Sequence, residues 1–421
     1  MMTDLNSFKL DSCYYSILVN VDELWLKGKN RPFYYQALRQ HIITLVKNYH
    51  WHSYKLTHEV QRFVISSEES FSEEFIQALA KIPGIKNIVP SKKVKSDLDS
   101  ITHACIDELK RLNLSALNIK TFKVETFRID KKFPVPSMSV SREIGGAILQ
   151  SCTALKVDIH NPDLQIEIRI MPKNSHVSAF KIPGIGGLPT ATTGKVLSLL
   201  SGGIDSPVSS FMMMKRGCDV NLCFFYAYPF VGEAVKEKIL KLASKLGVFQ
   251  RCTNLYVVNF GPAQEKLAKT CLPEYRTLFF RKLMIEIASN LAAEIGASAL
   301  ITGDSLGQVS SQTLYNMAYL DEKSPTMILR PVSGLNKSEI IEIAKEIGTY
   351  ETSILPQDDA CSLFAVKHPI LVPNRDYCER FMAENSFQEE IEKAQRGKTH
   401  FVITARGEVK EIIPITTIRP S

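Results

Sequence analysis

The most informative segment of this chain is Val196-Leu-Ser-Leu-Leu-Ser-Gly-Gly-Ile-Asp-Ser-Pro-Val208. Its apolar beginning predicts a short strand, and its polar end predicts the start of a helix, with Pro207 in the first turn, where a missing N–H costs nothing. Glycine lets backbone N–H groups approach a ligand closely, and a helix N-terminus carries the positive end of the helix dipole. The loop is therefore predicted to hold an anion such as a phosphate.

The residues on both sides of this loop predict a parallel sheet flanked by helices. Short apolar strands alternate with helical patterns, and the strands are predicted at Val196 to Leu200, Val220 to Phe225, Leu255 to Asn259 and Ala299 to Thr302. We predict an α/β domain over residues 181–397, whose first part, 181–195, is a Gly- and Pro-rich linker without strand or helix. In such sheets ligands bind at the carboxyl ends of the strands, which is where the glycine loop lies.

Two α+β units are predicted before this domain, over residues 1–74 and 75–180. The first contains strands at Tyr15 to Val21 and Arg62 to Ser66, with a helix between them that buries Leu38 and Ile42. The second has predicted helices around Phe75 to Lys81, Ile101 to Leu112 and Ser141 to Cys152, and strands at Thr121 to Ile129 and Leu164 to Ile170. The remainder, 398–421, alternates polar and apolar residues across Arg406-Gly407 and is predicted to form a hairpin.

Composition places the chain among cytosolic globular proteins. The 421 residues carry a net charge of +7, and residues 1–180 hold 24 Lys and Arg against 19 Asp and Glu, a surplus compatible with a nucleic-acid partner. We expect no membrane span and no secretion signal. Nine cysteines are too sparse for a disulfide scaffold, so reduced thiols and a cytoplasmic location are expected.

The glycine loop has two other possible interpretations. A Walker A loop at Gly194-Lys195 is rejected, because six residues rather than four separate Gly187 from Gly194 and Val196 replaces the Ser or Thr that binds Mg²⁺. An ordinary strand-to-helix turn explains a bare Gly-Gly but not the whole Ser-Gly-Gly-x-Asp-Ser string. This string resembles the PP-loop ATP pyrophosphatases, which split ATP between the α and β phosphates to adenylate a substrate.

Longer stretches resemble the bacterial tRNA 4-thiouridine synthetases, and they follow in the order of that family. The resemblance covers roughly residues 15–370 and rests on Leu26-Lys-Gly-Lys-Asn-Arg31, Phe122-Lys-Val, Ser141-Arg-Glu-Ile-Gly-Gly146, Val157-Asp158, Asn161-Pro162-Asp163, Val196 to Gly217, Thr302 to Thr313 and Arg330 to Lys337. It implies a ferredoxin-like domain at 1–74, a THUMP RNA-binding domain at 75–180 and a PP-loop domain at 181–397. It also implies the activity of a tRNA uracil 4-sulfurtransferase, which adenylates uracil O4 at position 8 of tRNA and then replaces that oxygen with sulfur.

Carried over motif by motif, the resemblance assigns site residues. The implied contacts to ATP are Leu199, Leu200, Ser201, Gly202, Gly203, Ser206, Phe224, Phe225, Arg281, Gly303 and Gln312. Asp205 is implied to be catalytic and to hold Mg²⁺, and Lys337 is implied to be catalytic as well. The alternatives are core packing for the leucine and phenylalanine side chains and an ordinary surface lysine for Lys337.

The resemblance implies that the acceptor arm of tRNA binds to the first two domains. Basic side chains there that are expected to meet phosphates are Lys120, Lys123, Arg128, Lys131, Lys132, Arg142 and Lys173. The alternative for each one is a solvated charged surface.

Cys361 occupies the position of the family's catalytic cysteine, and Pro and Asp residues before it predict a loop. Such a thiol helps release sulfur by forming a disulfide or perthiol, after a cysteine desulfurase or another carrier supplies a persulfide. The residues after Lys367 are expected to be too few for the rhodanese domain of some members, so the direct sulfur carrier stays open. Cys378 is either a resolving thiol or inert.

We predict no iron–sulfur cluster and no zinc. Some relatives bind a cluster through a Cys-x-x-Cys pair, but this chain has Thr277 and Phe280 there, and the spacing of Cys218 and Cys223 suits neither site. A homodimer is left open.

Three other functions are compatible with parts of the sequence. A PP-loop enzyme that adenylates a small molecule would not need the two upstream domains. An RNA-binding protein with a decayed nucleotide site would not need to keep Gly303, Gln312 and Cys361. Sulfur donation for thiamine thiazole synthesis is linked in the family to the rhodanese domain.

Overall fold

The structure, a computed structural model, describes residues 14–412 except 52, 60, 61, 113, 116 and 357–367. The strands are β1 (Ser16–Val21), β2 (Tyr54–Glu59), β3 (Arg62–Ser67), β4 (Ile85–Val94), β5 (Thr121–Arg128), β6 (Lys156–Val157), β7 (Leu164–Ile170), β8 (Ser175–Ser178), β9 (Ile182–Pro183), β10 (Lys195–Leu199), β11 (Asp219–Tyr226), β12 (Cys252–Asn259), β13 (Ala299–Ile301), β14 (Met327–Leu329), β15 (Thr399–Thr404) and β16 (Val409–Ile412). The α-helices are α1 (Arg31–Asn48), α2 (Glu73–Ala80), α3 (Leu98–Arg111), α4 (Ser137–Ser151), α5 (Asp205–Lys215), α6 (Glu233–Gly247), α7 (Gly261–Thr270), α8 (Arg276–Ile295), α9 (Leu314–Glu322), α10 (Lys337–Glu346), α11 (Tyr350–Ser353), α12 (Arg375–Glu384) and α13 (Gln388–Arg396).

The chain forms two compact units. The first takes residues up to 27 together with 49–186, and the second takes 28–48 together with 187–421. Helix α1, predicted within the first domain, is therefore counted in the second unit. There it carries buried His41, whose Nδ1 lies 3.4 Å from Oγ1 of Thr190.

The first unit is built on a mixed sheet. Its described strands follow the order β2-β3-β1-β4-β8-β7-β5-β6, and β9 pairs with β4. Leu18 lies opposite Val64 and Val89, and these three side chains form a core cluster with Met171. Helix α3 begins at a side-chain cap, because the Asp97 carboxylate accepts from the N–H of Ser100 at 2.7 Å.

The second unit contains the predicted parallel sheet. Its described strands follow the order β14-β13-β10-β11-β12-β15-β16, parallel from β14 to β12 and antiparallel from there on. Leu197 is fully buried, and it packs in a cluster with Phe279 and Phe280 of α8. The carboxyl ends of β10, β11 and β13 lie at one edge of the sheet.

The predicted hairpin across Arg406-Gly407 is confirmed. Strands β15 and β16 pair antiparallel, and β15 extends the parallel sheet by pairing with β12 from Cys252 to Val257. Part of this prediction, residues 413–421, lies outside the described residues.

The predicted linker was wrong in one detail. Its beginning, Ile182–Pro183, forms β9 on the edge of β4, where a proline without an N–H is tolerated. Helix α4 also begins at Ser137, directly after Pro136 and four residues before the predicted start. The described part of the chain has no helix long and apolar enough to cross a bilayer.

Candidate nucleotide site

The phosphate loop between β10 and α5 is held by its own serines. The N–H of Ser201 donates to Oγ of Ser206 at 2.8 Å, and the two hydroxyl oxygens lie 3.0 Å apart. The N–H of Gly203 donates weakly to Oγ of Ser201 at 3.3 Å. Gly202 is buried and Gly203 is exposed, so the loop presents backbone to solvent at the start of α5. This is the arrangement that binds phosphates at helix N-termini.

Gly303 brings the end of β13 against this loop. A Cβ built on Gly303 would lie 2.7 Å from the backbone nitrogen of Ser206 and 2.9 Å from its Cα. Both atoms belong to the backbone of α5 and cannot swing away as a side chain would. A residue without a side chain is therefore required at this contact.

Asp205 and Lys337 meet at the first turns of two helices. Nζ of Lys337 donates to Oδ1 of Asp205 at 2.6 Å, and Nε2 of Gln308 donates to Oδ2 at 2.9 Å. Lys337 is the first residue of α10, whose N-terminus is fixed by a capping box between Asn336 and Glu339. Both residues predicted to be catalytic here thus lie beside the phosphate loop.

Arg281 and Gln312 meet on a carboxylate, that of Asp304. Nη2 of Arg281 donates to Oδ2 of Asp304 at 2.6 Å, and Nη1 donates to the carbonyl of Ser311 at 2.7 Å. Nε2 of Gln312 lies 3.4 Å from Oδ1 of the same carboxylate. Burial raises the pKa of Asp304, but Arg281, Thr302 and Arg330 outweigh it and hold the pKa below its ordinary value.

Asp304 and Arg330 were missed as site residues. Nε of Arg330 lies 3.3 Å from Oδ2 of Asp304, and its two Nη atoms donate to the two carboxylate oxygens of Asp321 at 2.9 and 2.7 Å. Both residues lie inside motifs that resemble the family, since Asp304 follows Gly303 and Arg330 begins the stretch that ends at Lys337. Charged residues within otherwise apolar or glycine-rich motifs were the available signal.

The ATP contacts predicted at the strand ends are mostly buried. Phe225 packs in the core cluster with Leu197, and its ring contacts Phe260 at 5.4 Å between centroids. Leu200 is buried, and its N–H donates to the carbonyl of Cys223 at 2.8 Å, so that N–H is already used within the sheet. Leu199 is half-buried and Phe224 is buried. Core packing thus describes the side chains of Leu200, Phe224 and Phe225, and their contact with ATP stays a prediction.

Cys361 lies outside the described residues. Cys378 is described and fully buried, and it packs in the core cluster of the second unit. Burial raises its pKa, which disfavours the thiolate and agrees with an inert role.

The basic residues predicted to meet RNA lie in the first unit. Lys120, Lys131, Lys132, Arg142 and Lys173 are exposed. Lys123 and Arg128 are half-buried and have protein partners, the carboxylate of Glu125 at 3.7 Å and the carbonyl of Phe133 at 3.0 Å.

Lys173 also lines a cavity of about 660 Å³ with Lys55, Arg62 and Lys93. Nε and Nη1 of Arg62 are buried there and meet no acceptor among the described residues. Buried guanidinium N–H groups in such a place suit an anionic ligand.

Comparison with known proteins identifies the domains of the chain. The family model described as thiamine biosynthesis protein (ThiI) matches residues 191–387, the ThiI ferredoxin-like domain matches 16–89 and the THUMP domain matches 95–179. A probable tRNA sulfurtransferase of Thermoanaerobacter pseudethanolicus is 40% identical over 363 residues, which is 86% of this chain and 92% of the relative. One from Brevibacillus brevis is 34% identical over 95% of this chain and 96% of the relative.

A solved structure is similar along almost the whole chain. It is a 4-thiouridine synthetase in complex with RNA and bound ATP, with a TM-score of 0.84 and 32% identity over 93% of this chain and 100% of that one. A protein of Pyrococcus horikoshii shares the fold, with a TM-score of 0.60 and 21% identity over 79% of this chain and 99% of that one. From its phosphate loop, its domain matches and these relatives, the chain belongs to the ThiI family of tRNA sulfurtransferases.

Proposed function

We propose that this chain is an ATP-dependent tRNA sulfurtransferase that makes 4-thiouridine at position 8 of tRNA. The observation that carries the proposal has two parts. Asp205 and Lys337 meet beside the phosphate loop, and Arg281 bonds to Asp304, which follows the Gly303 that lies close to that loop. Membership in the family supports the proposal, and so does the ATP and RNA bound in the similar 4-thiouridine synthetase.

The first step uses cations and N–H groups to stabilise charge on phosphate. The loop Ser201-Gly202-Gly203 and the N-terminus of α5 bind the β and γ phosphates, and Arg281 stabilises charge that develops on the α phosphate. Uracil O4 attacks the α phosphorus, the bond to the bridging oxygen breaks and pyrophosphate leaves. Uracil C4 then carries an AMP leaving group.

A magnesium ion fits the residues beside the loop. Asp205 is a carboxylate whose two oxygens are held in place by Lys337 and Gln308, and oxygen ligands of this kind suit Mg²⁺ when phosphate oxygens complete its shell. When bound, the ion supplies neutralisation of phosphate charge. Lys337 holds Asp205 in position and adds a positive charge close to the leaving group.

The second step moves sulfur. The terminal sulfur of a carrier persulfide attacks C4 and AMP leaves, which joins the carrier to the base through a disulfide. The thiolate of Cys361 then attacks the carrier sulfur, which forms a carrier–Cys361 disulfide and releases the 4-thiouridine with both electrons of the broken bond. A thiol reductant restores Cys361. We propose a cysteine desulfurase as the source of the persulfide, and a homodimer as the assembly.

RNA binding is proposed for the first unit. The exposed Lys120, Lys131, Lys132, Arg142 and Lys173 are available for phosphates. The cavity with Arg62 supplies buried N–H groups that lack acceptors among the described residues. Lys123 and Arg128 are expected to contribute less, since each already has a protein partner.

The test is a reconstituted reaction with the full chain, Mg²⁺, ATP and a tRNA transcript. AMP release is followed first, and 4-thiouridine is then measured by mass spectrometry of nucleosides after addition of a cysteine desulfurase and cysteine. Cys361→Ser is expected to release AMP but to make no 4-thiouridine, whereas the buried-cysteine control Cys378→Ser is expected to do both. If the unmodified chain releases no AMP in the presence of tRNA, the proposal is wrong.

A second role, in thiamine synthesis, is favoured only by the description of the matching family model. It is tested by growth of a deletion strain without thiamine. A requirement for thiamine that Cys361→Ser cannot relieve would support that role.

A further inference from the structure

We propose that Asp304 is the positioning residue of the nucleotide site, a buried carboxylate that fixes Arg281 and Gln312 in the orientation that ATP needs. This inference rests on the proposed function, because that function assigns both side chains to ATP. Asp304 itself is not proposed to touch the nucleotide.

Three donors crowd one oxygen of the Asp304 carboxylate, and a fourth contacts the other oxygen. Oδ2 accepts from Nη2 of Arg281 at 2.6 Å and from Oγ1 of Thr302 at 2.8 Å, with Nε of Arg330 at 3.3 Å. Oδ1 lies 3.4 Å from Nε2 of Gln312. Each carboxylate oxygen offers about two acceptor positions, so Oδ2 has no capacity left for a metal ion or another ligand, and Oδ1 faces the amide of Gln312.

Charge also argues against direct contact with ATP. Asp304 is 6% exposed and negatively charged, and a phosphate at its side would be repelled in a region of low dielectric. Its effect on the nucleotide is therefore transmitted through the cations and the amide that it binds. A buried carboxylate paired with two guanidinium groups holds both of them in a fixed orientation.

The position of Asp304 in the chain links these side chains to the phosphate loop. It follows Gly303, where an added Cβ would lie 2.7 Å from the backbone nitrogen of Ser206 at the start of α5. Arg281 comes from α8 and Gln312 from a short helical turn, so the two side chains reach the site from separate segments. Their contacts with Asp304 bring both of them to the residue that follows Gly303.

The contact with Asp304 uses the amide nitrogen of Gln312 and leaves its amide oxygen available for a ligand. Its Nε2 points to Asp304, and its Oε1 is buried without a hydrogen-bond partner among the described residues. A buried acceptor of this kind needs a donor, and the amino group of adenine is a donor of the right chemistry. Losing Asp304 would allow the amide to turn and would remove that acceptor from its place.

The experiment measures binding of Mg-ATP to the full chain by calorimetry, for Asp304→Asn, Arg281→Ala and the double variant. Asp304→Asn keeps the shape of the side chain but removes its charge. We expect each single variant to weaken ATP binding at least tenfold, and the double variant to lose clearly less than the product of the two single effects. Both changes remove the contact between Asp304 and Arg281, and the second change adds only the loss of the contact with Gln312. Glu379→Gln is the control, since Glu379 is an exposed carboxylate on α12 that pairs only with Lys323 among the contacts seen; it is expected to bind ATP like the unmodified chain.

A merely structural carboxylate would give a different pattern. If Asp304→Asn binds ATP within twofold of the unmodified chain, or if the two single effects multiply in the double variant, the positioning role is overturned. If Asp304→Asn does not fold, Asp304→Glu takes its place in the same cycle, since it keeps the charge and moves it by one methylene. Failure of the proposed function is recognised separately, because the unmodified chain itself would then neither bind ATP nor release AMP with tRNA.

Discussion

Lys337 donates from Nζ to Oδ1 of Asp205 at 2.6 Å, although 132 positions separate the two residues in the sequence. Lys337 is 43% exposed, and an ion pair in such a place contributes little to stability. The pair is therefore better explained by the chemistry of the phosphate loop than by folding. The fixed N-terminus of α10, with its capping box, keeps the lysine at this place.

Replacing Lys337 should separate activity from stability. We expect Lys337→Met to lower AMP release with tRNA by about 10² to 10³, the usual effect of removing a group that stabilises developing charge. The thermal midpoint should change by no more than a few degrees. Lys337→Arg should retain part of the activity, because it keeps the charge but not the shape.

The control for this prediction is Lys393→Met. Lys393 is also exposed and paired with a carboxylate, Glu389 at 2.6 Å, but on α13. It should keep full AMP release. Equal rates for Lys337→Met and Lys393→Met would remove Lys337 from the catalytic residues.

Gly303→Ala tests the contact between the end of β13 and the phosphate loop. The added Cβ would meet the backbone of Ser206 at 2.7 Å, so either the loop or the strand end must shift. A displacement of about 1 Å at a reacting centre commonly costs about 10² in rate. We therefore expect AMP release to fall by this order, together with weaker ATP binding.

Gly334→Ala is the matched control, because a Cβ at Gly334 meets no atom within 4 Å. It should release AMP at the normal rate. Normal ATP binding by Gly303→Ala, measured by calorimetry, would contradict the close approach.

The sequence predicted those parts of the site that are local in the chain. A strand, two glycines and a helix start were readable from Val196 to Val208, and the structure places the phosphate loop there. Arg281 and Gln312 were assigned only through the family resemblance. Their meeting point was not predicted, because the donors to Asp304 come from positions 281, 302, 312 and 330, and no local pattern encodes such a convergence.

The fold was predicted to a similar extent. Strands and helices with clear periodicity were found, including the hairpin after Lys398. The pairing of that hairpin with β12 and the two-residue strand β9 were not, because both depend on edges that only the assembled sheets provide. Packing likewise places Phe225 in the core. An apolar residue in a predicted strand does not by itself show which face of the sheet its side chain occupies.

His176 should make the first unit sensitive to acid. Burial lowers its pKa to about 4, with smaller contributions from Lys93, Arg169 and Arg62. In the unfolded chain His176 binds a proton near the ordinary pKa of about 6.5. The free energy of unfolding is therefore highest above that pH and falls as the pH approaches the pKa of the folded state. The loss is expected to reach about 3 kcal/mol.

The measurement is hydrogen exchange of the amides of β7 and β8 at pH values between 7.5 and 4.5, corrected for the intrinsic rate. His176→Asn, which can still bond to the Ser91 hydroxyl that lies 3.0 Å from Nδ1, should lose less stability over this range than the unmodified chain. The same acid sensitivity in both proteins would show that groups other than His176 determine the pH dependence of stability.

Asn316 offers a test of how the nucleotide site is joined to the chain that follows Cys361. Its Nδ2 donates to the carbonyl of Ser310 at 3.2 Å and to the carbonyl of Ile370 at 2.9 Å, and the side chain is buried. Ser310 precedes the residue whose carbonyl binds Arg281, and Ile370 follows Cys361 by nine positions.

Asn316→Asp keeps the shape of the side chain but replaces the N–H donors with an oxygen that the two carbonyls repel, at a cost of about 1 to 3 kcal/mol for each lost bond. We therefore expect 4-thiouridine formation to fall more than AMP release. The measurement is the ratio of the two products in one reaction.

Asn385→Asp is the control for this prediction, since Nδ2 of Asn385 also donates to a carbonyl, that of Phe381 at 2.9 Å, at the end of α12. A product ratio in Asn316→Asp equal to that of the control would mean that the two steps do not depend on this connection.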